Sequence, residues 1–179
     1  ARREVAEHEN LNCPTGCALC PDHLRGTCCT LLEITGRCSM NCTFCFAEPD
    51  GKADPPLEEV ERWIDDLTDP GNTLLQLSGG EPTVRDDLPA IVAYAKRAGC
   101  KYVQLNSNGV RLAEDEAFVR KLADAGLSFV FMQFDGVTDQ VYEALRRQPM
   151  LDIKKRAIEN CGKYGIGVTL VPVIVPGVN

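Results

Sequence analysis

Long apolar runs are missing from this chain of 179 residues. No stretch approaches the roughly 20 apolar residues that a membrane-crossing helix needs, and no basic amphipathic segment stands out as a surface anchor. Excess positive charge is missing too: 19 Lys and Arg stand against 26 Asp and Glu, a net charge of −7. Such a chain gains little from counterion release on a phosphate backbone, which excludes nucleic acid as the main partner. The sequence opens Ala1-Arg2-Arg3 with neither an initiator Met nor a secretory pattern, and closes Pro176-Gly177-Val178-Asn179 without terminal character. It is expected to be a piece of a longer cytoplasmic protein, peripheral to a membrane only if its substrate is a lipid. With 44% hydrophobic residues and no low-complexity tract, it can pack one domain, with or without a small appendage.

Cysteine, by contrast, is plentiful. Eight of the ten lie between residues 13 and 45. A disulfide framework would spread its bridges over the fold, whereas clustering at ligand spacing points to metal in a reducing compartment. The densest group is Cys38-Ser-Met-Asn-Cys42-Thr-Phe-Cys45, a C-x3-C-x2-C run with no fourth cysteine close by. Three thiolates can hold three corners of a [4Fe–4S] cube. Closed electron-transfer clusters use four cysteines, so the iron left open is what a catalytic site needs. Zinc on the same thiolates is the alternative. A second set, Cys13, Cys17, Cys20 and Cys28, has C-x3-C-x2-C-x7-C spacing and enough thiolates for a closed site. It reads as an auxiliary [4Fe–4S] cluster, with a structural zinc or a single iron as alternatives. Cys28 is preferred to Cys29 as the fourth ligand, and His23 reads as a solvated loop residue. Residues 13–30 show no apolar periodicity, so metal would have to organise them. Cys100 and Cys161 read as small buried apolar residues.

From residue 31 the pattern becomes regular. Leu31–Thr35 reads as a strand leading into the Cys38 loop. Asp54-Pro-Pro-Leu-Glu-Glu reads as a helix start with Asp54 as N-cap, and Val60, Trp63, Ile64 and Leu67 recur at helical spacing. Thr73–Leu77 is the next strand, followed by Ser78-Gly79-Gly80-Glu81-Pro82. A helix over about 87–98, a strand at Tyr102–Leu105, a helix over 114–125 and a strand at Leu127–Phe134 follow. Helical segments then cover 138–163, and a last strand runs from Ile166 to Val175. Strands alternating with helices predict an α/β fold with a parallel sheet, in 31–179, after a cysteine-rich segment in 1–30. Periodicity leaves open whether the sheet is flat or curls into a barrel. In either form the C-terminal strand edge holds the site, and every polar or glycine-rich cluster falls there.

C-x3-C-x-aromatic-C after a first strand, with Gly79-Gly80-Glu81-Pro82 after a second, resembles the radical S-adenosylmethionine (SAM) superfamily. The resemblance runs from residue 31 to the end. It implies a partial βα barrel in which Cys38, Cys42 and Cys45 hold a [4Fe–4S] cluster whose open iron is chelated by SAM. Reductive cleavage of SAM would give a 5′-deoxyadenosyl radical that takes hydrogen from the substrate. The resemblance further implies that Phe44 packs near the adenine and that Gly79 and Gly80 bring backbone carbonyls close to the SAM amine. Glu81 would add an acceptor for that amine, and Ser107 and Gln133 would contact SAM from strands three and four. Asn106, Asn108 and Asp135 are weaker candidates, since Asn-Gly and Asp-Gly also suit ordinary turns. On strand five, Val171-Pro172 stands where many members carry a polar residue.

The phrases Cys13-Pro-x-x-Cys-x-Leu-Cys-Pro-x-His23, Leu31-Leu-Glu-Ile-Thr-x-Arg-Cys38, Gln133-Phe-Asp-Gly-Val137 and Leu170-Val-Pro-x-x-Val175 look like the archaeal tetraether lipid synthase branch and its bacterial relatives. That likeness implies radical carbon–carbon coupling of lipid alkyl chains. Methylation of a pterin-like molecule or modification of a peptide is the alternative within the family. An external ferredoxin- or flavodoxin-like donor would supply electrons. The competing class is a non-catalytic iron–sulfur or zinc protein with four protein ligands at every site.

Overall fold

The structure, a computed structural model, describes residues 29–45, 53–67 and 74–179. The auxiliary ligand set Cys13, Cys17, Cys20 and Cys28, and with it nearly all of the 1–30 segment, lies outside the described residues.

Five strands, β1 (Cys29–Glu33), β2 (Leu74–Ser78), β3 (Tyr102–Ser107), β4 (Phe129–Gln133) and β5 (Gly167–Val171), form one sheet. All four pairings are parallel, and the order is β1-β2-β3-β4-β5. A doubly wound sheet reverses its order at a switch point. This one never does, and successive right-handed crossovers then lay every helix on the same face. That settles the choice left open by periodicity in favour of a partial βα barrel.

The connections are α1 (Leu57–Leu67), α2 (Leu88–Arg97), α3 (Val110–Glu114), α4 (Glu116–Asp124), α5 (Asp139–Arg146) and α6 (Leu151–Lys163). Toward them the sheet turns Leu32, Leu75, Leu77, Val103, Leu105, Val130 and Met132, all buried. Val60 and Ile64 of α1, Ile91 and Val92 of α2, and Val119 and Leu122 of α4 complete that core. Cys100 and Cys161 are buried within it, as expected, and burial pushes the Cys161 thiol up to about 11. The opposite, concave face carries every second residue, and there Leu31, Glu33, Gln76, Ser78, Gln104, Asn106, Phe131 and Gln133 sit in adjacent rows.

Several local expectations change. Asp54 does not cap α1, which starts three residues later; its carboxylate accepts from Thr35 Oγ1 and from the Arg37 guanidinium. Leu67, placed on the buried stripe by spacing, ends α1 and is exposed. An unanticipated turn of helix, α3, follows Gly109, and Asp115 rather than Glu114 opens α4, its side chain accepting from Phe118 N at 2.9 Å. The last strand stops at Val171 because Pro172 brings no N–H to a ladder. Beyond it the Val173 N–H turns back to Asp135 Oδ1 at 3.0 Å.

Candidate active site

The cysteine loop leaves the C-terminal end of β1 and is held by its neighbours. On the β2 side, Gly80 N donates to Thr35 O at 2.9 Å and Glu81 N to Arg37 O at 2.8 Å. A side chain on Gly79 would meet Thr35 O at 2.1 Å, and one on Gly80 would meet Arg37 O at 2.4 Å. Gly79 also sits at φ +132, where other residues strain. The space that these glycines leave open is therefore filled by the start of the cysteine loop itself, a reason for glycine that spacing did not suggest.

Glu81 is the pivot of the second loop. It is 1% exposed. Its Oε1 accepts from Thr83 Oγ1 at 2.7 Å, Ser107 Oγ at 2.9 Å and Thr83 N at 3.2 Å, and its Oε2 accepts from Asn108 N at 2.6 Å. Burial pushes its carboxyl above the usual range, and these donors pull the other way. One carboxylate thus ties the β2 loop to the end of β3. The Ser107 hydroxyl, besides donating to Glu81, accepts from Gly109 N at 3.0 Å. Asn108 reaches across to the cysteine loop, donating to Ser39 Oγ at 3.2 Å.

From the far side the loop is clamped by α5. Thr43 donates to Leu145 O through both N and Oγ1, each at 3.1 Å. Arg146 is almost wholly buried. It grips Asp135 at the end of β4 with two bonds, Nε to Oδ2 at 2.7 Å and Nη2 to Oδ1 at 3.1 Å. Its remaining Nη1 donates to Cys42 Sγ at 3.3 Å, and its guanidinium lies 4.6 Å over the Phe44 ring. Helical spacing does carry a trace of this residue: Tyr142, Leu145 and Arg146 form the buried stripe of α5. Read as charge alone, Arg146 looks like a solvated helix face, which is why sequence reasoning passed over it.

Lys154 of α6 was also missed. It is fully buried, donates from Nζ to Asn108 O at 2.6 Å, and faces the Tyr142 ring at 5.9 Å. Burial lowers it from 10.5 to about 8, Arg146 adds to the fall, and Asp135 and Glu81 oppose it. Between those two values the unfolded chain holds the proton and the folded chain does not, so this lysine makes stability rise with pH over that window. The melting temperature of the parent, minus that of Lys154→Met, should climb from pH 7 to 10. The climb should be worth about 2–3 kcal/mol, or roughly 4–12 °C. A difference flat in pH by scanning fluorimetry would mean that Lys154 titrates normally.

These elements enclose one cavity of about 410 Å³, a size that suits small ligands. All the expected site residues that are described line it: Cys38, Cys42, Cys45, Phe44, Gly79, Gly80, Glu81, Ser107 and Gln133, joined by Glu33, Ser78, Asn106, Asn108 and Arg146. The donor set fits a [4Fe–4S] cluster. Three thiols of one loop border a common space, and a cationic N–H points at one sulfur. Asp135, a weaker candidate for a SAM contact, is taken up by Arg146 and Val173 N.

The family model described as the Radical SAM superfamily matches residues 32–179. The chain is 41% identical over 173 residues to the 7,8-dihydro-6-hydroxymethylpterin dimethyltransferase of Methanocaldococcus jannaschii, covering 93% of this chain and 34% of that protein. It is 31% identical to the probable GTP 3′,8-cyclase of Methanothermobacter thermautotrophicus, covering 83% of this chain and 48% of that one. The chain thus spans about a third to a half of the curated relatives it matches. Among solved structures, the enzyme anSMEcpe with bound AdoMet and a peptide superposes with a TM-score of 0.65 at 21% identity, over 82% of this chain and 43% of that one.

Proposed function

This chain belongs to the radical SAM superfamily, and on that premise we propose that it is the SAM-cleaving core of an enzyme that methylates a pterin-type heterocycle. The family implies a [4Fe–4S] cluster, SAM and an electron donor, for which a ferredoxin- or flavodoxin-like protein is our choice. A cluster on Cys38, Cys42 and Cys45 would supply the electron that breaks a C–S bond of SAM. The chain's own residues then have distinct tasks. Arg146 neutralises charge at Cys42 and holds the Phe44 ring beside the adenine site. The Gly79 and Gly80 carbonyls would take the SAM amine, and Glu81 sets the loop that carries them. Ser107 and Gln133 offer polar atoms at the ends of β3 and β4. Cys13, Cys17, Cys20 and Cys28 would hold the auxiliary cluster.

The observation that carries the substrate is the similarity to a pterin dimethyltransferase along 93% of the chain. Tetraether-type coupling of lipid chains, implied by the sequence resemblance, is the competing reading. The test is to reconstitute the longest form of the protein anaerobically and incubate it with SAM, dithionite and 6-hydroxymethyl-7,8-dihydropterin. Mass spectrometry should find 5′-deoxyadenosine and a pterin heavier by one or two methyl groups. SAM cleavage with the pterin unchanged, but an added alkyl lipid modified, would overturn this reading.

A further inference from the structure

We infer that Asn108 is a positioning residue for the cysteine loop, fixing its Cys38 end through Ser39, and that Lys154 is kept buried to hold Asn108 in place. This rests on the three-cysteine reading above. Asn108 follows β3, is 3% exposed, and has a protein partner for every polar group it carries. Its N–H donates to Glu81 Oε2 at 2.6 Å, and its Oδ1 accepts from Val110 N at 2.9 Å. Its Nδ2 donates to Ser39 Oγ at 3.2 Å, and its carbonyl accepts from Lys154 Nζ at 2.6 Å. Spacing made Asn108 a weaker candidate for a SAM contact. These bonds make it a brace that joins the β2 loop, the start of α3, the cysteine loop and α6.

The brace meets the cysteine loop between its two other anchors. Gly80 and Glu81 hold Thr35 and Arg37, ahead of Cys38. Leu145 and Arg146 hold Thr43 and Cys42. Ser39 lies between these anchors, beside Cys38, and is itself exposed. Its bond from Asn108 ties that stretch, and with it the Cys38 thiol, to the end of β3. The Cys38 and Cys42 ends of the loop are thus set from two different helices, α6 and α5.

Lys154 carries two costs that a neutral side chain would avoid. Its ammonium is fully buried, and it stands in the first turn of α6, where the helix dipole disfavours a cation. A methionine of similar length would fill the space at neither cost. What the ammonium adds is the bond to Asn108 O, with the Tyr142 ring 5.9 Å away. Partners that orient a metal ligand from behind are worth about tenfold to a hundredfold in metal affinity.

The test follows the SAM-sensitive signal of the reduced cluster, in the reconstituted longest form of the protein, during challenge with an iron chelator. Ser39→Ala removes only an exposed hydroxyl. It should shorten the life of that signal at least about tenfold and alter the shift that SAM induces, at a melting temperature near the parent's. Ser39→Thr keeps the accepting oxygen and should restore both. Lys154→Met should shorten the signal's life to a similar degree. Combining it with Ser39→Ala should do no worse than either change alone, since both act through Asn108. Cys161→Ala, which loosens packing in the same helix, should keep the parent's lifetime. A parent-like lifetime and spectrum in Ser39→Ala would overturn this assignment while the three-cysteine site stands. Effects of Ser39→Ala and Lys154→Met that multiply would overturn the route through Asn108. A fully loaded parent with no SAM-sensitive signal would overturn both readings.

Discussion

Cys42→Ala is expected to lose reductive SAM cleavage by more than about a thousandfold, some 4 kcal/mol or more of barrier. Cys42 is the middle cysteine of the loop and is only partly exposed. It is also the thiol that Arg146 reaches, at 3.3 Å. Removing its sulfur would take away one of the three proposed cluster corners and leaves the guanidinium nearly buried with its outer N–H unmatched. The measurement is electron paramagnetic resonance of the dithionite-reduced protein with and without SAM, together with 5′-deoxyadenosine release and iron per chain. The parent should show a reduced-cluster signal that SAM perturbs. Cys42→Ala should show no SAM-sensitive signal and less iron. Cys161→Ala provides the contrast, because that thiol is fully buried on the helix side of the sheet. It should retain the parent's iron content and lose only packing stability. SAM-sensitive signal surviving in Cys42→Ala would remove the three-cysteine assignment.

Much of the fold was readable because its signals are local. Short, largely apolar runs between turn residues marked the strands, and the stripe at Val60 and Ile64 marked α1. The cysteine spacing and the Gly79-Gly80-Glu81 run fell at strand ends, and the structure brings them to one cavity. Curling of the sheet is not local. It follows from the unreversed strand order, which no window of sequence contains. The same limit explains the misread residues. A carboxylate before a helix looks like a cap, but Asp54 has a stronger donor in Arg37, seventeen residues back. Glu81 looks like a ligand group facing a cofactor, yet both of its oxygens are taken by donors from its own loop and from β3. Arg146 and Lys154 look like solvated charges, and only packing of α5 and α6 against the strand ends brings them to Cys42 and to Asn108 O.

The clamp at Arg146 gives the largest stability effect we expect. Asp135 and Arg146 are a buried pair, with side chains 0% and 2% exposed. Removing one partner of such a pair costs about 3–5 kcal/mol, mostly because the other charge stays buried and unmatched. Arg146→Met should therefore lower the melting temperature by roughly 6–20 °C. Asp135→Asn should cost less, since an amide can still accept from the guanidinium and from Val173 N. The double variant Arg146→Met, Asp135→Asn should regain part of the loss, because no bare carboxylate remains. The coupling read from that cycle separates the ion pair from the packing of the aliphatic stem. It also separates two jobs of one side chain. Asp135→Asn leaves Nη1 free to reach Cys42 and should keep SAM-sensitive spectra, whereas Arg146→Met loses the contacts to both Cys42 and Phe44 and should alter them even where it folds. A loss below about 1 kcal/mol in Arg146→Met, the range of an exposed pair, would show that the loop is held by its bonds to Leu145, Gly80, Glu81 and Asn108 without Arg146.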